Sequence, residues 1–101
     1  MRHLRVTIIS RHDCHLCHVV HRVAEQVRQE LAFDLVEMDV DSDPRLVTQY
    51  GDRVPVILLD GREAISGKVT GGQLRKTIKK ARWRNPISRI LSRVKLALTR
   101  G

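Results

Sequence analysis

Two cysteines, Cys14 and Cys17, stand where an apolar run gives way to a helical hydrophobic pattern, and that junction constrains the fold more than any other feature of the chain. Upstream, LRVTII at residues 4–9 is rich in β-branched side chains and suits a strand buried in a sheet. Downstream, Leu16, Val19, Val20, Val23, Ala24, Val27 and Leu31 recur at helical spacing among His, Arg, Glu and Gln. This pattern predicts an amphipathic helix that begins within CHLC. Cys14 then lies at its N-terminal edge and Cys17 inside its first turn.

The stretch RHDCHLCHVVH, residues 11–21, holds both cysteines and four of the five histidines, so three chemistries compete for it. They are a redox dithiol, a zinc site made by Cys14, Cys17, His18 and His21, and a covalent haem attachment, since Cys14 to His18 spells CxxCH. Placement speaks against zinc. Structural zinc sites draw ligand pairs from separate chain segments, whereas these four crowd about one and a half helical turns, and His18 projects away from Cys17 on the wheel. Haem would need a second axial ligand and an apolar pocket, and the chain has three aromatic residues in total. A dithiol directly after a strand and at a helix start is the context of a thioredoxin-like redox centre.

The physical reason is local. Unsatisfied backbone N–H groups and the positive end of the helix dipole favour a thiolate at a helix N-terminus. On this reading Cys14 is the nucleophile. Cys17, one turn further on, is the resolving thiol that attacks the mixed disulfide. A protonated His15 between them would stabilise the thiolate, while Asp13 acts in the opposite sense.

Further along, FDLVEMDV at 33–40 alternates with period two and predicts a half-buried strand. In SDPRLVTQYG, Asp43 or Ser42 can cap a short helix that Pro44 opens and Gly51 stops. VPVILLDG at 54–61 is an apolar strand closed by an Asp-Gly turn, and REAIS at 62–66 pairs back as a hairpin. Gly67, Gly71 and Gly72 break the chain before QLRKTIKKARW, a second amphipathic helix with Leu74, Ile78 and Ala81 on one side. The predicted order is β-α-β-α-β-β-α, an α/β fold. After Asn85-Pro86, the residues Ile87, Ile90, Leu91, Val94, Ala97 and Leu98 share one helical stripe, with Arg89, Arg93 and Arg100 opposite and Leu96 off the stripe. The chain therefore divides into a domain over residues 1–83 and a basic amphipathic extension over 84–101.

Charge follows the same division. Residues 71–101 carry ten Lys or Arg and no acid, a net +10, whereas residues 1–70 carry nine basic and eleven acidic side chains, a net −2. Such a basic third can attract an acidic protein, nucleic acid or a membrane surface, or it can be a solvated face of a helix packed on its own domain or on a sister chain. The N-terminal apolar run is too short for a signal segment and no stretch reaches the length of a membrane span, so a reducing cytoplasm is the expected location. A non-catalytic module that binds through residues 71–101 is the alternative to an enzyme.

With these residues in place, the chain resembles the thioredoxin superfamily, and within it the short glutaredoxin-like proteins, over residues 4 to about 83. The resemblance rests on SRHDCHLC, on the acidic strand end DVDSDP, and on Val54-Pro55 opening the third strand. It implies a mixed four-stranded sheet, thiol–disulfide oxidoreductase activity at Cys14 and Cys17, and a disulfide-containing protein or low-molecular-weight thiol as partner. It also implies a cis Val54-Pro55 bond beside the dithiol, with Val54 and Pro55 contacting an extended substrate. Proline lacks a ladder donor, and X-Pro is the bond for which cis is accessible, which agrees with that placement. No bound cofactor is implied. Glutathione is the reductant common in the family, but His15-Leu16 replaces the usual Pro-aromatic pair, and Gly71-Gly72-Gln73 lacks the acid of the glutathione-gripping element.

Overall fold

The computed structural model describes residues 3–84. The elements are β1 (Arg5–Ser10), α1 (His15–Arg28), β2 (Asp34–Asp39), a 3-10 turn (Val40–Ser42), α2 (Pro44–Tyr50), β3 (Val56–Leu59), β4 (Arg62–Ser66) and α3 (Gly71–Arg84). The four strands form one sheet in the order β2-β1-β3-β4. β1 and β2 run parallel, while β3 is antiparallel to both β1 and β4.

β1 is a central strand, and its composition shows it. Val6, Thr7, Ile8 and Ile9 are all buried, because neighbours flank both edges and both sheet faces are covered there. Alternation sends Val6 and Ile8 to one face with Ile57 and Leu59 of β3. There they meet Val20, Ala24 and Val27 of α1 and Leu74 and Ile78 of α3 in the main core. Ile9 and Val56 point to the other face, against Val40 and Tyr50. Full burial of a side chain such as Ile8 or Ile57 contributes about 1.5–3 kcal/mol.

Local chemistry sets the element ends. Asp43 caps α2 by accepting from the Arg45 amide at 2.8 Å, with Pro44 in the first turn. Asp60 and Gly61 both take positive φ, 49° and 85°, the turn that fits a two-residue hairpin between β3 and β4.

Several expectations change in detail. α1 ends at Arg28, so Leu31 lies beyond it. The amides of Glu30 and Leu31 both reach the Val27 carbonyl at 2.9 Å, and the chain turns away there while Leu31 still packs on the core. β2 is an edge strand rather than a half-buried one. Leu35 is partly buried, but Val36 and Met38 remain 36% and 37% exposed, because α2 covers the second face only around Ile9 and Val56. Gly71 and Gly72 belong to α3 and do not break the chain before it. Thr70 accepts from the Gln73 amide at 3.1 Å while the Gln73 side chain faces the Thr70 amide at 3.5 Å, a reciprocal cap that starts the helix two residues early. Gly51 stops α2 with ordinary helical angles, φ −53°, rather than with a left-handed turn. The extension read over residues 84–101 lies outside the described residues beyond Arg84.

Candidate functional site: the Cys14–Cys17 pair

The site is built where β1 hands over to α1. After Ser10 the chain turns at Arg11–Asp13, and the Cys14 amide donates to the Arg11 carbonyl at 3.3 Å. Cys14 is the N-cap of α1, in extended conformation at φ −106° and ψ 109°. Its sulfur does what a cap oxygen does elsewhere. The Cys17 amide donates to the Cys14 Sγ at 3.1 Å, and the His18 amide donates to the Cys14 carbonyl at 3.3 Å. Cys14 and Cys17 are joined as a disulfide, with Cα atoms 5.2 Å apart. Cys14 is partly exposed and Cys17 is 2% exposed, so an incoming molecule meets Cys14 first.

A second structural element closes on the same end of the sheet. Val54-Pro55 is a cis peptide bond immediately before β3. Since β3 runs antiparallel to β1 with Ile9 opposite Val56, Pro55 falls at the Ser10 end, from which the chain leads to Cys14. Pro55 is buried, its carbonyl accepts from the Gly67 amide at 2.8 Å, and Val54 packs partly against Tyr50 and Val56. The predicted residues therefore converge topologically at one sheet end.

The histidines disperse. His15 is the first residue of α1 and is exposed. The His18 ring faces the His12 carbonyl at 3.2 Å, and His21 lies 3.4 Å from Glu37 and 3.8 Å from Glu25. Among the described residues no group of three His, Cys, Asp or Glu side chains converges to hold a metal ion.

Other residues complete the site, and among them Arg11, Glu37 and Asp41 are ones that sequence reasoning did not single out as site residues. An open cleft of about 310 Å3 adjoins the disulfide and is lined by Ser10, Arg11, His12, Cys17, His18, Glu37 and Asp39. Glu37 is held by Ser10, whose hydroxyl lies 3.4 Å from its Oε1. Arg11 bridges three segments. Its guanidinium donates to both carboxylate oxygens of Asp41, at 3.2 and 3.4 Å, and to the Gly51 carbonyl at 3.1 Å. The hydrogen bond to Asp41 raises the Arg11 guanidinium further above its ordinary range, and Asp13 and Asp52 act in the same sense. One signal for Glu37 was available: it continues the Phe33 and Leu35 alternation, placing a carboxylate on the core side of β2 near the end of β1.

A four-stranded mixed sheet with the Cys14–Cys17 pair capping its first helix and a cis proline at the same sheet end is a thioredoxin-like arrangement, and the paired cysteines support a redox role. The family described as Glutaredoxin-like domain (DUF836) matches residues 5–79, and the chain belongs to that family. Curated relatives are the uncharacterized protein Rv0508 of Mycobacterium tuberculosis and its counterpart Mb0520 of Mycobacterium bovis. Each is 38% identical over 90 residues, covering 81% of this chain and 90% of the relative. Among solved structures, the X. campestris protein XcR50 has 32% identity and a TM-score of 0.65, covering 74% of this chain and 96% of that one. A mutant thioredoxin from Halobacterium salinarum, at 23% identity and a TM-score of 0.63, shares the fold over 78% of this chain and 74% of its own. Among the described residues no helix is long and apolar enough to cross a membrane.

Proposed function

We propose that this protein is a thiol–disulfide oxidoreductase that transfers two electrons from its Cys14 and Cys17 thiols to a substrate disulfide. The Cys14 thiolate attacks one sulfur of the substrate, the substrate S–S bond breaks, and the first thiol leaves with a proton from solvent. Cys17 then loses its proton and attacks Cys14. The Cys14–Cys17 bond forms, the mixed disulfide breaks, and the second substrate thiol leaves. A thiol reductant must reset the pair, and glutathione is one candidate of that class.

The observation that carries this reading is the cap: the Cys17 amide points at the Cys14 sulfur across 3.1 Å, at the positive end of a 14-residue helix. Such a position stabilises sulfur as thiolate. A protonated His15 would add to that, and the backbone of Val54, beside Pro55, supplies a surface for an extended substrate segment. The chemistry needs no bound cofactor. Its partners are disulfide-containing proteins or low-molecular-weight disulfides, and a compartment that keeps thiols reduced suits the cycle.

Reduction of insulin or of a small disulfide tests the assignment. Cys14→Ser abolishes turnover on this reading, and Cys17→Ser accumulates a mixed disulfide with the substrate at Cys14. Wild-type turnover retained by Cys14→Ser refutes it. A molecule that only binds through its basic third would keep a salt-sensitive association in Cys14→Ser and show no disulfide reduction in either form.

A further inference from the structure

The cleft beside the disulfide carries a charge opposite to that of the chain. We infer that it selects disulfides whose flanking groups are cationic and disfavours anionic ones, an inference that rests on the oxidoreductase reading. The formal charge of the whole chain is +8. Yet the walls next to Cys17 include Glu37 and Asp39, and the one guanidinium that lines the cleft among the described residues, that of Arg11, is bonded bidentately to Asp41. Asp13 and Asp52 act electrostatically on the same guanidinium. Two carboxylates thus line the cleft, while the guanidinium beside them is engaged by a third and acted on by two more outside the lining.

The other titratable groups there are His12 and His18 in the walls, His15 at the helix start, and His21 behind Glu37 with Glu25. Each of these rings carries charge only when protonated. Among the described residues, the basic side chains of α3 lie outside the cleft lining. Arg75 of α3 is engaged by Glu30 at 3.1 Å, and Lys76, Lys79 and Lys80 belong to α3, which contributes nothing to the cleft lining. At physiological salt, exposed charges beyond about 8 Å are largely screened, so the carboxylates lining the cleft act most directly on a group seated in it.

Glu37 and Asp39 are also held in place. Glu37 lies between Ser10, whose hydroxyl donates to its Oε1 at 3.4 Å, and the His21 ring, 3.4 Å from its Oε2, and Asp39 Oδ1 accepts from the Asp41 amide at 2.9 Å. Cys17 forms part of the same wall and is bonded to Cys14, with Cα atoms 5.2 Å apart, so the cleft adjoins the sulfur that attacks and meets the flank of a disulfide docked on it. A volume of about 310 Å3 suits a small ligand or one side chain. The chemistry selected is an ammonium or guanidinium near the reacting sulfur. It can come from a small aminothiol disulfide or from a cysteine flanked by Lys or Arg in a protein.

The test uses pre-reduced full-length protein in single turnovers at about pH 8, above the ordinary imidazole range. Each turnover converts the two protein thiols to the Cys14–Cys17 disulfide and one probe disulfide to two thiols, so no added reductant is needed. The small probes are cystamine, hydroxyethyl disulfide and dithiodipropionate. The peptide probes are disulfide dimers with lysine or with glutamate flanking the cysteine. Each rate is divided by the rate of that probe with dithiothreitol, which removes intrinsic reactivity.

The expected normalised preference of cationic over anionic probes is about tenfold or more, within the range that charged clefts impose on encounter. It falls below about twofold in roughly 0.5 M salt, and it falls likewise in Glu37→Gln/Asp39→Asn. Glu37→Lys reverses it. Selection among the small probes assigns an aminothiol source, and selection confined to the peptides assigns a protein. Equal normalised rates, an anionic preference, or a preference that Glu37→Gln/Asp39→Asn leaves intact overturns the inference while the oxidoreductase reading stands. Failure to oxidise on any probe overturns both.

Discussion

The backbone N–H of Cys17 donates to the Sγ of Cys14 across 3.1 Å, so the buried cysteine directs its amide at the more exposed sulfur of the pair. Cys14 has the favoured electrostatic position and the access, whereas Cys17 has neither. In the reduced protein, alkylation by iodoacetamide at about pH 6 should fall on Cys14, roughly tenfold faster than on an unstructured cysteine peptide. Mass spectrometry of the first adduct checks this. Equal labelling of both cysteines would remove the asymmetry on which the assignment of nucleophile and resolving thiol depends.

The reciprocal cap of Thr70 and Gln73 starts a helix whose Leu74 and Ile78 are fully buried in the main core. Thr70→Ala removes the acceptor for the Gln73 amide and is expected to lower stability by about 1 kcal/mol. Thr70→Ser keeps the hydroxyl and should restore most of it. Urea midpoints at unchanged slope measure both. A Thr70→Ala protein with the wild-type midpoint would show that α3 is held by packing alone.

Acid should weaken the start of α2 through Asp43. Hydrogen bonds from the Arg45 side chain, chiefly, and from the Arg45 backbone amide lower the Asp43 carboxyl below its ordinary range, against a small desolvation effect. Because the folded-state value is depressed, the unfolded chain takes up the proton more readily. The stabilisation is therefore fully present above the ordinary carboxylate range and disappears as pH falls through it to the lower folded-state value. Asp43→Asn retains a capping side chain but not the charge. The Tm difference between wild type and Asp43→Asn should be present at neutral pH and close in acid. A difference independent of pH would contradict the ionic origin.

Much of this arrangement is legible in the sequence, for reasons that differ between residues. The order of strands and helices, the position of Cys14 and Cys17 at the start of α1, and the Asp60-Gly61 hairpin all follow from local periodicity and turn chemistry. The cis bond at Val54-Pro55 was expected from resemblance to a family, and the structure has it. Nonlocal facts were not legible. Alternation in β2 says which residues share a face but not that the strand is at an edge with Val36 and Met38 left uncovered. Arg11 and Asp41 are thirty residues apart, and nothing in either stretch names the other. The Thr70 and Gln73 cap was readable but was obscured by the two glycines between them, which look like a break and are tolerated inside the first turn once the cap is made.

Gly51 ties the helix end of α2 to the redox loop, and its lack of a side chain is what permits the fit. Its φ of −53° is open to any residue, so the constraint is space and not backbone conformation. A Cβ at this position would lie 2.5 Å from the Val47 carbonyl oxygen and 3.2 Å from Val47 Cγ1. The first of these atoms is backbone that cannot move without disturbing the turn, since the Gly51 amide donates to that same oxygen at 2.8 Å. The Gly51 carbonyl in turn accepts from Arg11. Gly51→Ala is therefore expected to destabilise the protein by about 1–3 kcal/mol, as overpacking does, and to release Arg11 from one of its two anchors. Arg11→Gln removes the same tie from the other side without crowding α2. Both variants should slow attack of Cys14 on a small disulfide, because the loop before Cys14 is no longer held to the segment that leads into Val54-Pro55. Only Gly51→Ala should shift the urea midpoint strongly. If Gly51→Ala unfolds at the wild-type midpoint, the α2 end has room for a methyl group. If Arg11→Gln attacks at the wild-type rate, the guanidinium bridge does not position the nucleophile.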